Sequence, residues 1–400
     1  MVSEHASPLA DLGSVDAGGQ NVFVADLART MARFGVDVTV YTRRDHPALP
    51  ARVTMAGGVS VVHVSAGPAA PVPKDQLLPH MDTFARALRA HWSRRAPDLV
   101  HAHFWMSGRA SLAAAGDLDV PIAQTFHALG TVKRRQQGER DTSPHVRVDE
   151  ERRIASTVDQ VLATCTDELF ELARMGVRPR QVSVVPCGVD LELFRPDGEA
   201  FSRSERRCRV VVVSRLVERK GIGNLLTALA RVPDCELLVA GGPPRAELER
   251  DEEYRRLRRA AADAGVGGRV HFLGGMRREH VAPLIRSADV VACVPWYEPF
   301  GMAALEAMAC GVPVLATAVG GLVDTVVDGV TGMHVPPRCP DAIARALGHL
   351  ASRADVRASM GAAGTDRARS RYGWDAVARR TLRLYSRIRE QRGVPRVGEG

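Results

Sequence analysis

The sequence predicts an α/β protein with two doubly wound, Rossmann-like domains, each built on a parallel sheet. Three observations support this prediction. Strand-like runs of β-branched residues alternate with helix-like segments through residues 1–190, a second series begins near Cys208, and residues 290–317 show strand, loop, helix and strand in succession. We expect domains at residues 1–190 and 191–371, followed by a terminal segment at residues 372–400.

The first domain is predicted to alternate strands and helices from its beginning. Residues 1–3 form the tail of a first strand, and further strands are expected at residues 36–42, 59–64, 99–102, 122–125, 161–164 and 182–185. Helices are expected in the gaps, for example at residues 21–34 and 82–94. This alternation indicates parallel strands. Residues 133–144 are polar and without periodicity, which favours a mobile loop.

The second domain repeats the pattern. Strands are expected at residues 209–213, 236–240, 270–273, 290–294 and 314–317, and the composition of residues 300–310 favours a helix that Gly311 ends. Residues 372–388 have the pattern of an amphipathic terminal helix.

Composition limits the classes of function. A hydrophobic content of 45% over 400 residues is enough for two cores. No apolar run approaches the length of a membrane span and the N-terminus lacks the features of a signal peptide, so we expect a cytoplasmic protein without membrane association. The net charge of +8 comes from arginines interleaved with acidic residues, and only 5% of residues are aromatic, which argues against nucleic-acid binding. Seven cysteines without a C-x-x-C pair are expected to be small buried side chains.

Two glutamates, Glu298 and Glu306, stand on either side of a predicted helix start in the second domain. The unpaired amides of Gly301, Met302 and Ala303 would form an anion site there. Two acceptors beside an anion site suit a polyhydroxylated ligand. A simpler interpretation is that one glutamate complements the helix dipole and the other is solvated.

Two cations follow the first strand of the second domain. Arg215 at the strand end and Lys220 before the next helix can converge on one anion, although exposed cations near a helix start are commonly solvated. The segment G-I-G-N-L-L from Gly221 is not the G-x-G-x-x-G of a nicotinamide oxidoreductase. Gly18 and Gly19 lie between a strand and a helix of the first domain, where they let the backbone approach a ligand or simply form a turn.

Metal ligation is not predicted. We interpret His101 and His103 as pointing to opposite faces of their strand, where one metal cannot bind both. Asp117 and Asp119 form a D-x-D at the amino end of a strand, away from the ligand edge of the sheet, and we interpret them as turn residues.

The segment E-P-F-G-M-A-A-L-E-A-M-A-C-G-V-P-V resembles the signature of the retaining GT-B glycosyltransferases of family 4, and R-L-V-E-R-K-G resembles their R-x4-K-G motif. The resemblance implies the GT-B fold, with its two domains across a crevice and the terminal helix returning to the first domain. It also implies a nucleotide-sugar donor, a small hydroxylated acceptor, and no metal or other cofactor. In this family the first glutamate, here Glu298, contacts the donor sugar. The implied donor-binding residues are Gly18, Gly19, Arg215, Lys220, Leu273, Phe300, Gly301, Met302, Ala303 and Glu306.

In the first domain the resemblance implies that His127 faces the donor sugar, and His127 and Glu298 are the catalytic candidates. The implied acceptor-binding residues are Gln20, Asn21, Lys74, His103 and Arg147. Retention would proceed by attack on the face that the diphosphate leaves, with a phosphate oxygen as the base and His127 orienting the sugar. A nucleotide-sugar binder without catalytic activity is the alternative, and it would bind a donor without hydrolysing it.

The acceptor is left open by the sequence. The chain is similar to the family members that glycosylate inositol phosphate in mycothiol synthesis and to sucrose-phosphate-synthase-like enzymes. In the former, Lys74 and Arg147 match cations that hold the acceptor phosphate, but Phe104 and Ala128 stand where a tyrosine and a threonine would be. A glycolipid or secondary-metabolite acceptor is the alternative. From the resemblance we expect UDP and not GDP as the nucleotide of the donor. We consider a homodimer as the form of association. The family resemblance also implies a start codon upstream of Met1.

Overall fold

The computed structural model describes residues 1–10, 18–203 and 207–393. These residues form two compact units. Unit 1 runs from Met1 to Pro186 and includes the chain from Trp374 onward, and unit 2 runs from Cys187 to Gly373. The predicted boundaries, after residues 190 and 371, lie close to these points.

Unit 1 contains one sheet, in which Val2 joins two sets of strands. Its strands are β1 (Thr39–Arg43), β2 (Arg52–Met55), β3 (Val59–Val64), β4 (Val100–His103), β5 (Ile122–Thr125), β6 (Gln160–Ala163) and β7 (Val182–Val184). The hydrogen-bonded orders are β1-β3-β2 and β4-β5-β6-β7. Val2 bridges Tyr41 of β1 and Ala102 of β4 in parallel, so residues 1–3 do contribute to the sheet as predicted, and they lie between its two sets of strands.

The expectation of an entirely parallel sheet is wrong at one edge. Strand β2 pairs antiparallel with β3, with Arg52 opposite Val62 and Met55 opposite Val59. The two strands are joined by a short turn through Gly57 and Gly58, both at positive φ, and such a tight connection can only join antiparallel neighbours. Strand β2 was not predicted because only Met55 of its four residues is buried, which leaves little apolar pattern.

The helices of unit 1 lie mostly where they were predicted. They are α1 (Gly19–Arg33), α2 (Met81–Trp92), α3 (Trp105–Ala115), α4 (Gly130–Gln137), α5 (Arg147–Thr157) and α6 (Thr166–Arg174). Helix α4 corrects the prediction of a loop at residues 133–144, because its second half occupies the start of that segment. Only Gly130 and Val132 of α4 are buried, which explains the missing periodicity.

Unit 2 has a sheet of six parallel strands in the order β10-β9-β8-β11-β12-β13. They are β8 (Cys208–Val213), β9 (Cys235–Ala240), β10 (Val270–Gly274), β11 (Val290–Cys293), β12 (Val314–Thr317) and β13 (Gly332–Val335). Five were predicted. The sixth, β13, was missed because its four residues G-M-H-V carry a weak strand pattern and only two of them are buried.

The helices of unit 2 are α7 (Ile222–Leu229), α8 (Glu252–Asp263), α9 (Arg278–Arg286), α10 (Met302–Ala309), α11 (Leu322–Thr325), α12 (Pro340–Ser352) and α13 (Ala354–Arg371). Apolar side chains of α7, α8 and α12 cover one face of the sheet in a common core with Val210, Leu237 and Val290, all fully buried. Helix α10 ends where Gly311 takes a positive φ of 76°, as the sequence predicted.

The last helix, α14 (Trp374–Gln391), belongs to unit 1. Trp374 lies edge-on to Phe23 of α1, with ring centroids 5.6 Å apart, and Arg33 pairs with Asp375 at 2.9 Å. Of the seven cysteines, Cys165, Cys187, Cys235 and Cys310 are buried and the other three are half-buried, close to the prediction. None of the helices described is both long and apolar enough to cross a bilayer.

Candidate active site

The predicted donor residues of unit 2 lie at the carboxyl edge of its sheet. Strand β8 leads into Arg215 and then a 3-10 turn, Glu218–Lys220, while β11 leads into the loop that carries Glu298. Because β8 and β11 are hydrogen-bonded parallel neighbours, both loops leave the same edge. Arg215 is exposed at this edge, and Lys220 and Glu298 are half-buried.

Lys220 and Glu298 form an ion pair between Nζ and Oε2. Their side chains are 17% and 16% exposed, so the pair is largely shielded from solvent. Burial by itself would raise the pKa of Glu298, but the charges of Lys220, Arg219 and Arg215 outweigh burial and hold this pKa below its usual value. Glu298 is therefore ionised at neutral pH, and the predicted sugar-binding and diphosphate-binding side chains are in direct contact.

Glycines bring the backbone segments of this edge together. A Cβ on Gly221 would lie 2.0 Å from the carbonyl oxygen of Val294, and one on Gly320 would lie 2.0 Å from the carbonyl oxygen of Glu298. Both glycines have positive φ, at 72° and 50°. The Lys220 turn and the Glu298 loop can approach their neighbours this closely because these two positions carry no side chain.

Helix α10 starts directly after the Glu298 loop. Gly301 precedes it at a φ of 89°, and the first-turn amides, among them those of Met302 and Ala303, have no carbonyl of their own helix to bind. Phe300, which precedes Gly301 in the chain, is buried at 5% exposure. The geometry is that of an anion-binding helix start beside a carboxylate and a lysine.

Glu306 lies within α10 and is 9% exposed. Arg278 at the start of α9 was not among the predicted site residues, yet its Nε lies 3.8 Å from Glu306 Oε1. The Arg278 guanidinium also stacks on Phe194, 5.3 Å from the ring centroid. Leu273, one of the predicted donor-binding residues, is half-buried at the end of β10. No local sequence pattern links Arg278 with Glu306, since the contact depends on how α9 and α10 pack.

In unit 1 two residues that follow strand ends have strained backbones. Phe104 after β4 has a φ of 78°, and His127 after β5 has a φ of 61°. For residues other than glycine such angles cost about 1–3 kcal/mol each and occur most often at functional sites. Strands β4 and β5 are parallel neighbours, so both residues lie at one edge of the sheet.

His127 belongs to a cluster of three histidines. His103 Nδ1 lies 3.0 Å from His127 Nε2, and His101 bonds to the Tyr385 hydroxyl at 2.7 Å and to Thr125 Oγ1 at 2.9 Å. Burial lowers the pKa of all three imidazoles, that of His127 to about 3, with nearby His5 as a second cause for His127. The three rings are therefore neutral at physiological pH.

The prediction that His101 and His103 point to opposite faces is wrong. Their ring centroids are 4.1 Å apart, because residues two apart in a strand share a face. His103 is also fully buried, and its predicted contact with an acceptor stays a prediction. Among the described residues, no group of three or more potential metal ligands is close enough to hold an ion.

A carboxylate-histidine pair at the end of the first strand segment was not anticipated. Glu4 Oε1 lies 2.7 Å from His5 Nδ1, and Glu4 Oε2 accepts a hydrogen bond from Ser107 Oγ. Glu4 is fully buried, whereas the His5 side chain is 10% exposed and lies edge-on to Phe104 with centroids 4.8 Å apart. Glu4 and His5 are adjacent in the sequence S-E-H, but only the fold shows that they lie near His127.

Arg147 lies inside unit 1, at 2% exposure. Its Nε donates to Glu151 Oε1 at 2.7 Å, its Nη1 to Ser143 Oγ at 3.2 Å and its Nη2 to the carbonyl oxygen of Ala128 at 2.6 Å. The guanidinium lies 5.0 Å from the centroid of the Phe104 ring. Phe104 and Ala128, the two positions that differ from the inositol-phosphate enzymes, therefore both contact Arg147. The Arg147 guanidinium also donates to Glu151 and Ser143.

The predicted lysine, Lys74, is half-buried in a 3-10 turn, Lys74–Gln76. Its neighbour Asp75 bonds to Lys133 Nζ at 3.3 Å, and Lys133 also pairs with Asp141 at 3.1 Å. Acidic side chains thus lie beside the cations of this region, and these ion pairs were not predicted from the sequence.

The predicted glycine loop is described only in part, since Asp16 and Ala17 lie outside the described residues. Gly18 and the exposed Gly19 start α1. Asn21 is buried, with its Oδ1 accepting from Gly18 N at 3.1 Å and its Nδ2 donating to the Ser7 carbonyl at 2.9 Å, so it caps the helix. Gln20 is half-buried and donates to Ser3 Oγ at 3.1 Å. Of the two, Gln20 is the less buried.

The turn at Asp117 is as predicted. Asp117 forms an ion pair with Arg89, and Asp119 pairs with Arg392 at 2.8 Å. Both carboxylates are therefore engaged at the protein surface.

Comparison with known proteins assigns this arrangement to a family. The family described as "Glycosyl transferases group 1" matches residues 198–367, and the family described as "Glycosyltransferase Family 4" matches residues 17–193. A D-inositol 3-phosphate glycosyltransferase of Kribbella flavida is 38% identical over 404 residues, which cover 96% of this chain and 94% of the relative. The chain belongs to glycosyltransferase family 4. The resemblance seen in the signature motifs is confirmed, and the protein is a glycosyltransferase.

Other relatives agree on the fold of this glycosyltransferase. A D-inositol 3-phosphate glycosyltransferase of Streptomyces scabiei is 36% identical over 405 residues, 96% of this chain and 90% of the relative. Sucrose-phosphate synthase from Thermosynechococcus elongatus superposes with a TM-score of 0.90 at 31% identity, covering 98% of each chain. Anabaena HepE, solved with UDP-glucose, has a TM-score of 0.74 at 19% identity, covering 96% of this chain and 98% of HepE. The GT-B fold with two Rossmann-like domains is thereby confirmed.

Proposed function

We propose that the protein is a retaining, metal-independent glycosyltransferase that moves a sugar from a UDP-sugar to a small hydroxylated acceptor. The observation that carries the donor half of this proposal is the contact of Lys220 with Glu298 beside the start of α10. A cation, a carboxylate and unpaired amides at one edge match the needs of a sugar diphosphate, which has a charged end and a hydroxylated end.

Departure of the diphosphate needs positive charge at the oxygen that leaves the sugar. Arg215, Lys220 and the α10 amides supply it in this proposal, and they would do the work that a divalent cation does in other transferases. Glu298 is ionised and accepts hydrogen bonds from sugar hydroxyls, while Glu306 accepts them from the ribose. His127 of unit 1 orients the sugar, and the acceptor proton passes to a phosphate oxygen as the acceptor attacks on the face that the diphosphate leaves.

Inositol phosphate is the first acceptor to consider, because curated relatives more than a third identical are named for it. One observation favours an acceptor without a phosphate. Three nitrogens of the Arg147 guanidinium donate to Glu151, Ser143 and Ala128, so this arginine is already neutralised within unit 1. A neutral polyol or glycoside from another pathway is therefore the second candidate.

Turnover of purified protein with UDP- and GDP-sugars tests the proposal. We expect release of UDP from one UDP-sugar, at a rate that an acceptor raises and that an excess of EDTA leaves unchanged. Inositol 3-phosphate and unphosphorylated myo-inositol are compared as acceptors. Thermal stabilisation by a UDP-sugar without any turnover would instead indicate a nucleotide-sugar binder, and dependence on a divalent cation would contradict the metal-independent mechanism.

A further inference from the structure

His103 and His127 share one hydrogen bond that determines where each imidazole carries its proton. His103 Nδ1 lies 3.0 Å from His127 Nε2, and the two rings are stacked with centroids 5.2 Å apart. Phe23 of α1 lies edge-on to both rings, at 5.7 and 5.1 Å, and holds them from the side. With both rings neutral, one of the two nitrogens in the shared contact must donate and the other must accept.

The surroundings of His103 decide between the two arrangements. His103 is fully buried and its Nε2 has no hydrogen-bond partner among the described residues. A buried N–H without a partner costs more free energy than a bare lone pair, and such orphaned N–H groups are rare in folded proteins. The proton of His103 therefore belongs on Nδ1, from which it donates to His127 Nε2. His127 then carries its own proton on Nδ1.

The other nitrogen of His127 is the one available to a ligand. The His127 side chain is half-buried, and its Nδ1 forms no hydrogen bond with a described residue, whereas Nε2 is held by His103. The strained backbone of His127, at a φ of 61°, sets the ring at the end of β5. A ring oriented in this way presents an N–H and not a lone pair.

We infer that His103 is a positioning residue that fixes the tautomer and orientation of His127, so that His127 acts on the substrate as a neutral hydrogen-bond donor from Nδ1. This inference rests on the proposed function, in which His127 meets a hydroxyl of the donor sugar. It gives His103 a role through His127 in place of a direct contact with the acceptor. It also excludes His127 Nδ1 as a base, because that nitrogen already bears a proton.

Nitrogen NMR of the full chain labelled with 15N-histidine tests the tautomer directly. Two-bond correlations distinguish an Nδ1-protonated ring from an Nε2-protonated one. We expect both His103 and His127 to be Nδ1-protonated, and in His103→Phe we expect the His127 signals to shift toward a mixture of tautomers. Protonation of His127 at Nε2 in the unsubstituted protein would overturn the inference, whatever the enzyme turns out to transfer.

Kinetics of UDP release from UDP-N-acetylglucosamine, with inositol 3-phosphate present, test the role in catalysis. His103→Phe keeps a flat ring and removes the donor, and we expect kcat to fall about tenfold with the donor KM changed less than about threefold. His103→Asn places an amide near the former Nδ1 and should restore kcat to within about threefold of the unsubstituted enzyme.

Tyr385→Phe is the matched control, because it removes a hydrogen bond from His101 in the same cluster without touching His127. We expect its kcat and the His127 tautomer to be unchanged. Equal losses in His103→Phe and His103→Asn would show that His103 only fills space and would overturn the inference. If the unsubstituted protein releases no UDP from any UDP-sugar of the turnover panel, with either acceptor, the proposed function fails, and the NMR measurement still decides the tautomer. If His103→Phe does not fold, the NMR of the unsubstituted protein decides alone.

Discussion

At the scale of single residues, the ionised groups of this glycosyltransferase are mostly held by partners from the same unit. Lys220 is paired with Glu298 in unit 2, and Arg147 is paired with Glu151 in unit 1. Both pairs are shielded from solvent, so removing one partner leaves the other as a charge without compensation in a poorly solvated place. Substitutions at these positions should therefore change stability as well as catalysis.

Replacing Lys220 with Met should destabilise the protein at neutral pH. Glu298 would keep its charge without its nearest cation, and we expect the free energy of unfolding to fall by about 1–3 kcal/mol, less than for a fully buried pair because both side chains keep some exposure. In the unsubstituted protein the pKa of Glu298 is lowered, so the pair stabilises the fold above the usual carboxyl pKa and this stabilisation is lost as pH falls through the lowered value. The loss in Lys220→Met should therefore be largest near pH 7 and should shrink below about pH 4.3, the usual glutamate pKa.

Urea unfolding near pH 7 and below about pH 4.3 measures the loss of stability in Lys220→Met. Arg231→Met is the control, because Arg231 and Asp341 form a pair in the same unit whose side chains are 58% and 56% exposed. Equal effects of the two substitutions at pH 7 would contradict the role assigned to burial.

Replacing Arg147 with Met should have a larger effect. Glu151 is fully buried and Arg147 is 2% exposed, so the variant leaves a carboxylate inside unit 1 without its cation, at a cost of about 3–5 kcal/mol. Denaturant unfolding measures the loss, with Arg152→Met on the same helix as the control because that arginine is 54% exposed. A stable Arg147→Met variant that has lost only acceptor binding would show that Arg147 is a ligand-binding residue instead.

At the scale of elements, the site in unit 2 depends on glycines that allow loops to approach one another. Gly221 connects the Lys220 turn to α7 and has no room for a methyl group, because Val294 of the neighbouring loop lies against it. Such positions cannot be recognised from composition, since other glycines of the chain have the same backbone conformation with open space around them.

Gly221→Ala and Gly329→Ala form a matched pair that isolates this effect. Both glycines have a φ of 72°, but a Cβ at Gly221 would meet a carbonyl oxygen at 2.0 Å and one at Gly329 would meet nothing within 4 Å. Gly329→Ala should cost about 1 kcal/mol for its backbone conformation alone. Gly221→Ala should cost at least about 2 kcal/mol more, because the backbone of the Lys220 turn must move. Thermal unfolding and stabilisation by UDP measure both losses, and similar values for the two variants would show that the clash relaxes without cost.

At the scale of the whole molecule, the two units contribute different chemistry. Unit 2 carries the cations, carboxylates and helix start that suit a nucleotide sugar, while unit 1 carries the neutral histidines and the Glu4–His5 pair. Because the groups that suit a nucleotide sugar all lie in unit 2, we expect binding of the nucleotide to be detected in that unit.

Hydrogen exchange with and without UDP tests this division. We expect UDP to protect amides at residues 214–221 and 298–306 of unit 2, because these segments form the proposed diphosphate and ribose contacts, while most amides of unit 1 keep their exchange rates. Peptide-level mass spectrometry measures both regions, and ADP serves as a control nucleotide with the same diphosphate. Protection that is confined to unit 1 would contradict the placement of the donor site.

The sequence by itself determined the fold class, the two units and the motif that indicates the family. Each depends on short-range information: strand and helix patterns, glycines after helices, and two glutamates that a helix and its preceding loop bring to one edge. Strands β2 and β13 were not predicted, because each has only four residues with little burial and therefore no clear apolar pattern. The glycine loop at Asp16 lies partly outside the described residues, so its predicted role stays a prediction.

Only the tertiary structure decided which charges and rings touch. The pairs Lys220–Glu298 and Arg278–Glu306 join residues far apart in the chain, and the contact of His103 with His127 joins the ends of two neighbouring strands. The burial of His103 and Arg147 follows from packing around them, which no local pattern records. Hydrogen-bond partners, protonation and strain depend on distances of a few ångströms between separate segments, and those distances are set only when the sheets and helices have packed.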